Sequence, residues 1–289
     1  MPNFLMLEPV ITRTKEDLTI LIPGLNGSGL ELGQLPRFLE SAGHNVLIPD
    51  LPGFLFGAPA SKFTDWVQTL HQTIDKQKEV YSIVNLVGIS MGATLAALVA
   101  TQRADISSLA LMSPVLKYDG WSVPFYRPAL DFFYFLGARN WEYSEREPFG
   151  VKNIDLRRRI SEKFKTSKVS EVGAASISAR HLHEAKGLMA SAKNSLHHLS
   201  CRLLVIQSVE DDTCSVWSAG EILERCTSEV RRVIWLGNSY HIVTIDNERE
   251  IVLNEVLNFI AQTSAVEKHT IDSATADNRK VLKLRVGYE

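Results

Sequence analysis

The chain has 289 residues, 45% of them hydrophobic, with 31 basic and 33 acidic side chains and a formal net charge of −2. That length and apolar content suffice for one sizeable core, or one core with a covering segment. The balanced charge argues against nucleic acid as a main partner, and no run is apolar for long enough to span a bilayer.

Met1 to Val10 is briefly apolar but lacks a basic leader and a small-residue cleavage site, so it does not read as a signal peptide. Leu18 to Pro23 is a short β-type run that ends in the glycine-rich loop Pro23-Gly24-Leu25-Asn26-Gly27-Ser28-Gly29. Leu30 to Ala42 carries helical spacing through Leu32, Leu35, Phe38 and Leu39, with Gly43 as its stop. Asn45 to Pro49 is a second strand, followed by the turn Asp50 to Gly53. Thr64 to Lys78 is amphipathic, with Trp66, Val67, Leu70 and Ile74 on one face.

Ser82 to Val87 leads into Gly88-Ile89-Ser90-Met91-Gly92, and Ala93 onward continues in a small-residue helical pattern. This reads as a strand, a very tight turn and a helix. Glycines flank the serine where side chains would collide with the neighbouring strand or helix. The turn lifts the hydroxyl to a helix N-terminus, where backbone N–H groups lack intrahelical partners. A serine hydroxyl is a poor nucleophile alone, so the site needs a base and a group to orient the base. Ser107 to Met112 supplies another apolar strand. Strands alternating with helices predict an α/β fold: a mostly parallel central sheet flanked by helices on both faces.

From Lys117 to Ser200 the rhythm breaks. This segment begins densely aromatic (Trp121, Phe125, Tyr126, Phe132, Phe133, Tyr134, Phe135, Trp141, Tyr143), then turns basic and helical at Leu156 to Phe164 and Ala179 to Leu199. So long an interruption between sheet strands predicts an inserted helical lid. Most of its aromatics are expected to pack against the core, and Arg157-Arg158-Arg159 to form a solvated helix face. The sheet pattern resumes at Cys201 to Ser208, followed by the polar turn Val209 to Thr213, a helix around Val216 to Arg225 and a last strand from Glu229 to Leu236. His241 lies in the next loop, before a helix predicted from Ile242 to Ile260. The predicted organisation is thus a core of 1–116 and 201–263, a lid of 117–200 and a tail of 264–289. That tail is expected to be loosely attached, with a β-type patch at Val281 to Val286.

A serine, an acid and a histidine therefore follow three strands, at the sheet edge where open α/β folds place ligands, in the chain order serine, acid, histidine. Among the other histidines, His181 and His183 are two apart on a helix, and His197 and His198 are adjacent. Neither pair suits one metal, and His44, His71 and His269 read as surface or packing residues. No metal and no cofactor is expected. Cys201, Cys214 and Cys226 form no C-x-x-C pair and are odd in number, which reads as reduced thiols in a cytoplasmic protein.

Four segments carry a resemblance: P-G-L-N-G at Pro23–Gly27, G-I-S-M-G at Gly88–Gly92, L-L-V-I-Q-S-V-E-D-D at Leu203–Asp212, and L-G-N-S-Y-H-I-V-T-I-D at Leu236–Asp246. With them the chain resembles the bacterial α/β-hydrolases of the carboxylesterase and monoacylglycerol-lipase type, from about Leu18 to Ile260. The resemblance implies Ser90 as nucleophile, His241 as base and Asp211 as orienting acid, with Asp212 its competitor and Glu210 a distant third. It also implies an oxyanion hole from the backbone of Met91 and Leu25. The family usually has His-Gly where this chain has Pro23-Gly24, and a histidine where it has Phe54, so the loop's fine geometry differs. The function expected is serine hydrolysis of a small-molecule carboxylic ester, a short- to medium-chain acyl ester or monoacylglycerol. Thioester or amide hydrolysis by the same triad, and a non-catalytic receptor on this scaffold, are the alternatives.

Overall fold

A computed structural model describes residues 17–124, 134–137 and 139–286 of the chain. In chain order the elements are β1 (Asp17–Ile22), α1 (Leu35–Ser41), β2 (Asn45–Leu47), α2 (Phe63–Lys78), β3 (Ile83–Ile89), α3 (Met91–Thr101) and β4 (Ser108–Met112). A long excursion follows, with β5 (Glu142–Ser144), α4 (Ile154–Thr166), β6 (Val169–Ser170), β7 (Gly173–Ala174), β8 (Ser176–Ser178) and α5 (Ala179–Ser195). The chain then returns through β9 (Arg202–Ser208), α6 (Trp217–Arg225), β10 (Arg231–Leu236) and α7 (Arg249–Val286).

Six of these strands form one sheet in the order β10-β9-β4-β3-β1-β2, every pairing parallel. Successive side chains of a strand point to opposite faces, and both faces here are apolar. Leu18, Ile20, Ile22, Val84, Leu86, Leu203 and Val205 enter one core layer with helices α2, α3, α5 and α6. Leu21, Val87, Ile89, Leu204 and Ile206 enter the other, with α1, α4 and α7. Strands covered on both faces are why these runs are continuously hydrophobic rather than alternating. Helix α3 is buried from Met91 to Ala100. Its alanines let it lie close against the sheet behind Ser90.

Several sequence expectations need correcting. The helix expected over Leu30 to Ala42 is a short 3-10 turn (Leu30–Leu32) and then α1, because Gly33 takes a left-handed φ of 58° where its missing side chain makes room for the Thr244 carbonyl and Ile245. The last helix starts at Arg249 rather than Ile242, since residues up to Asp246 are spent on the histidine loop. It runs on to Val286 in place of the expected β-type patch, and no glycine or proline interrupts the sequence between Ile260 and Gly287. In the excursion, β5 pairs with β8 and β6 with β7 as short antiparallel ribbons that the sequence did not reveal. Arg158 and Arg159 are exposed as expected, but Arg157 turns inward and donates to the carbonyls of Val151 and Lys152. The aromatics Phe125, Tyr126, Phe132 and Phe133, and the segment Met1 to Val10, lie outside the described residues. Among the described residues no helix is long and apolar enough to cross a membrane.

Candidate active site

Ser90 sits between β3 and α3 with φ 57° and ψ −126°, a conformation that costs a non-glycine residue energy and is held by its surroundings. The two flanking glycines have no room for a side chain. A Cβ at Gly92 would lie 2.0 Å from the Pro23 carbonyl oxygen, and one at Gly88 would lie 2.5 Å from the Gly92 carbonyl oxygen. The Ser90 N–H donates to the Met112 carbonyl, which ties the turn to β4. The G-I-S-M-G pattern is thus a steric requirement of strand, turn and helix meeting at one point.

Three side chains distant in sequence converge here. His241 Nε2 lies 2.8 Å from Ser90 Oγ, and His241 Nδ1 lies 3.0 and 2.9 Å from the two oxygens of Asp211. Asp211 is further held by the N–H groups of Thr213 and Cys214 on Oδ1 and by the Gln207 side-chain amide, 2.8 Å away, on Oδ2. Burial pushes the Asp211 carboxyl up, but the charge and hydrogen bond of His241 and these N–H groups outweigh it, leaving Asp211 below its ordinary value. Burial pushes His241 down, and the Asp211 carboxylate, aided by Asp212 and Glu145, brings it above its ordinary value. Asp211, not Asp212, is therefore the acid that meets the imidazole.

Asp212, among the described residues, makes its side-chain hydrogen bonds to the excursion rather than to the imidazole. Its Oδ2 accepts from the Gly150 N–H, while its buried Oδ1 has no hydrogen-bond partner among the described residues. Burial raises its carboxyl, with His241 opposing and Asp211 adding. Glu210, the third candidate, is half-turned to the surface and pairs with Lys152.

The histidine loop is organised from below by Asp246. Its oxygens accept from the N–H groups of Lys152, Asn153, Tyr240 and Asn247, at 2.7 to 2.9 Å. Ser113 Oγ donates to the His241 carbonyl at 2.7 Å, and Ile242 N–H to the Gly150 carbonyl. Trp121 packs edge-on against Tyr240. The excursion is thereby pinned to the loop that carries His241.

Leu25 and Met91 line a cavity of about 120 Å³ together with Ser90, His241 and Glu31. Phe54, which stands where the resemblance would place a histidine, packs edge-on against Trp66, and its carbonyl accepts from Asn26 N–H in the same glycine-rich loop. A second cavity of about 230 Å³ adjoins the first, sharing Tyr118, Glu145, Phe149, Gly150, Ile177 and Thr213 as walls. Residues of the excursion supply most of that shared wall. Glu145 keeps accessible surface towards these cavities, yet the atoms crowded around it desolvate its carboxyl. It is pushed up to about 7, Asp212 adding to the shift and His241 opposing it.

Asp211, Cys214 and His241 bring potential metal-ligand atoms within 4.8 Å of one another. Their chemistry suits a hydrogen-bonded dyad better than an ion. Burial, with the neighbouring Asp211, holds the Cys214 thiol well above its ordinary value, and the thiol form is a poor ligand. His181, buried and hydrogen-bonded to Ser178, and His183, stacked on Tyr134, play packing roles. Glu31, Gln207, Asp246 and Glu145 are the site residues the sequence did not disclose. The final aspartate of the Leu236–Asp246 segment was in view for Asp246, but its task is visible only in the folded loop.

A parallel sheet covered on both faces, with a tight serine turn after a central strand and an acid and a histidine on later loops, defines the chain as an α/β-hydrolase. It belongs to the family described as serine aminopeptidase, S33, whose model matches residues 14–249. The chain is 23% identical over 246 residues to a thermostable monoacylglycerol lipase of Bacillus sp. (strain H-257), covering 84% of this chain and 90% of that one. It is 21% identical over 259 residues to a carboxylesterase of Bacillus subtilis (strain 168), covering 88% and 96%. The solved structure of a monoacylglycerol lipase from Paleococcus ferrophilus superposes with a TM-score of 0.70 at 15% identity, over 85% of this chain and 94% of the other.

Proposed function

We propose that the chain hydrolyses short- to medium-chain carboxylic esters, monoacylglycerols among them, through an acyl-enzyme on Ser90. The observation that carries this is His241, with one ring nitrogen 2.8 Å from the Ser90 hydroxyl and the other 2.9 Å from Asp211. Ser90 Oγ attacks the ester carbonyl as His241 Nε2 takes its proton, and Asp211 stabilises the imidazolium. The tetrahedral oxyanion is met by the N–H groups of Met91 and Leu25. The same Nε2 returns the proton to the departing alcohol, and a water attacking under His241 releases the acid and frees Ser90. The two adjoining cavities, about 120 and 230 Å³, suit a short or medium acyl chain better than a long one.

In this reading residues 1–116 and 201–263 are the hydrolase core, 117–200 its lid and 264–289 a tail. The lid assignment is supported by the excursion's share of the cavity walls. The names of the two Bacillus relatives support an ester as substrate. The free thiols Cys201, Cys214 and Cys226 suit the cytoplasm. Amide hydrolysis is the second reading, favoured by the description of the family as an aminopeptidase.

A fluorophosphonate probe is expected to label the wild type and not Ser90→Ala, with nitrophenyl acyl esters turned over best at short to medium length. Labelling of Ser90→Ala, or an unlabelled wild type inert to every ester, overturns the proposal. Turnover of aminoacyl nitroanilides in preference to esters selects the amide reading.

A further inference from the structure

The glycine-rich loop that bears Leu25 is tied at Asn26 and Gly27: the Asn26 N–H donates to the Phe54 carbonyl, the Asn26 side-chain amide to the Ser176 carbonyl, and the Phe56 N–H to the Gly27 carbonyl. Gly24, Gly27 and Gly29 bring no side chain to stiffen it, and Asn26 takes a left-handed φ of 58°. A backbone N–H stabilises an oxyanion only if it is already aimed when the charge develops. The ties at Asn26 and Gly27 act beyond Leu25, so its other flank, at Gly24, has to be fixed separately by a positioning residue.

We infer that Glu31 is that positioning residue, and that it locks the oxyanion loop to the histidine loop. Its side chain, 2% exposed, reaches back under the loop. Oε1 accepts from Gly24 N–H at 3.1 Å and Oε2 from Ser28 N–H at 3.2 Å, so the carboxylate grips the loop on either side of Leu25. Gly27 N–H closes the turn onto the Gly24 carbonyl. The glycine at 27 is required by this arrangement, since a Cβ there would lie 1.7 Å from Glu31 Oε1. The main chain of the same residue faces the other way, and the Glu31 carbonyl accepts from Thr244 Oγ1, three residues beyond His241. Gly33 adds a second contact by lying against the Thr244 carbonyl. One residue thus spans the two loops that the reaction needs in register.

A carboxylate is an expensive filler for such a place. Burial pushes its carboxyl above the ordinary value, and only the surrounding backbone N–H groups offset that. An apolar side chain would occupy the space without this cost, but it could not accept from two N–H groups at once. The role is geometric, and it acts through Leu25 rather than on the substrate itself.

This inference rests on the ester-hydrolase reading, and the test separates the two. Glu31→Gln keeps the shape and one acceptor but presents an NH₂ group to the second N–H. Because the oxyanion contact strengthens only in the transition state, kcat for a nitrophenyl ester is expected to fall roughly 10- to 100-fold with KM changed less than about twofold. Labelling by a fluorophosphonate, which also places an oxygen in the hole, should slow by the same factor as kcat/KM. The acid limb of the kcat/KM profile, set by His241, should not move. Thr244→Val should lower kcat several-fold and Thr244→Ser, which keeps the hydroxyl, should restore it to within about twofold. This pair decides the question if Glu31→Gln does not fold. A folded Glu31→Gln with wild-type kcat, a loss confined to KM, or a Thr244→Ser no better than Thr244→Val would overturn the role of Glu31 while leaving the esterase standing. A wild type that neither labels nor turns over esters would remove both.

Discussion

The turn at Ser90 is held by close backbone contacts and backbone hydrogen bonds, and the loop at His241 by side-chain hydrogen bonds. At the turn, Gly88 and Gly92 admit backbone atoms to within 2.5 Å or less of where a Cβ would stand, and no titratable side chain takes part. At the loop, Asp211, Asp246 and the Ser113 hydroxyl hold the imidazole and its backbone through hydrogen bonds. A steric device has one setting and fails when an atom is added. An electrostatic device has a pH range, and it can be loosened without unfolding the protein. Ser90 is therefore the rigid partner of the pair, and His241 is the adjustable one.

The largest effect that would break this comparison belongs to the turn. Gly92→Ala places a methyl group 2.0 Å from the Pro23 carbonyl oxygen and 2.4 Å from that of Ile22, both on the neighbouring loop and strand. It is expected to destabilise the fold by more than about 4 kcal/mol, as measured by urea unfolding. A variant that folds normally and turns over esters would mean that the turn is not sterically set.

The loop should respond differently. Asp211→Asn is expected to lower kcat roughly 10³- to 10⁴-fold, because the amide favours the wrong imidazole tautomer, while the protein still folds. The acid–base pair also has a signed pH dependence. Asp211 lies below its ordinary value, so its contribution to stability is present above the unfolded value of about 3.9 and is lost as pH falls through the folded one. His241 lies above its ordinary value, so its contribution is complete below about 6.5 and fades as pH rises through the folded one. The stability difference between wild type and Asp211→Asn should therefore be greatest between about pH 4 and 6.5. Wild-type kcat/KM should rise as pH climbs above that window, since the base must be neutral. A stability difference that is flat from pH 4 to 9 would contradict the paired assignment.

The smallest effect sharpens the electrostatic half. Glu145, raised to about 7, is part of the negative field that favours the imidazolium. Glu145→Gln is expected to move the acid limb of kcat/KM to lower pH without changing the maximal rate. A shift to higher pH would show that this carboxyl does not act on His241.

The turn was legible in the sequence because its cause is local. Two glycines, a serine and the alanines that follow all act within one strand, one turn and one helix turn. The parallel sheet was legible for a similar reason, since apolar runs long enough to be covered on both faces leave few alternatives. The start of the last helix was not, because Ile242 to Ile260 reads as one run, and the four N–H partners that claim Asp246 for the histidine loop are seen only in the fold. The ribbons at β5–β8 and β6–β7 were hidden because their strands are only two or three residues long, too short to show an alternating pattern. Glu31 read as one more polar position on a helix, although Gly27 four residues earlier is the other half of its arrangement.

Sequence by itself determined the fold class, the tight turn at Ser90 and the order of serine, acid and histidine, because propensity, periodicity and steric demand are properties of neighbours along the chain. Only the tertiary structure decided that Asp211 rather than Asp212 turns to the imidazole, that Glu145 and Asp212 share the cavity wall, and that Glu31 joins the two loops. These are questions of which way a side chain points across space. Adjacent residues in a turn differ there by a rotation that no one-dimensional pattern records.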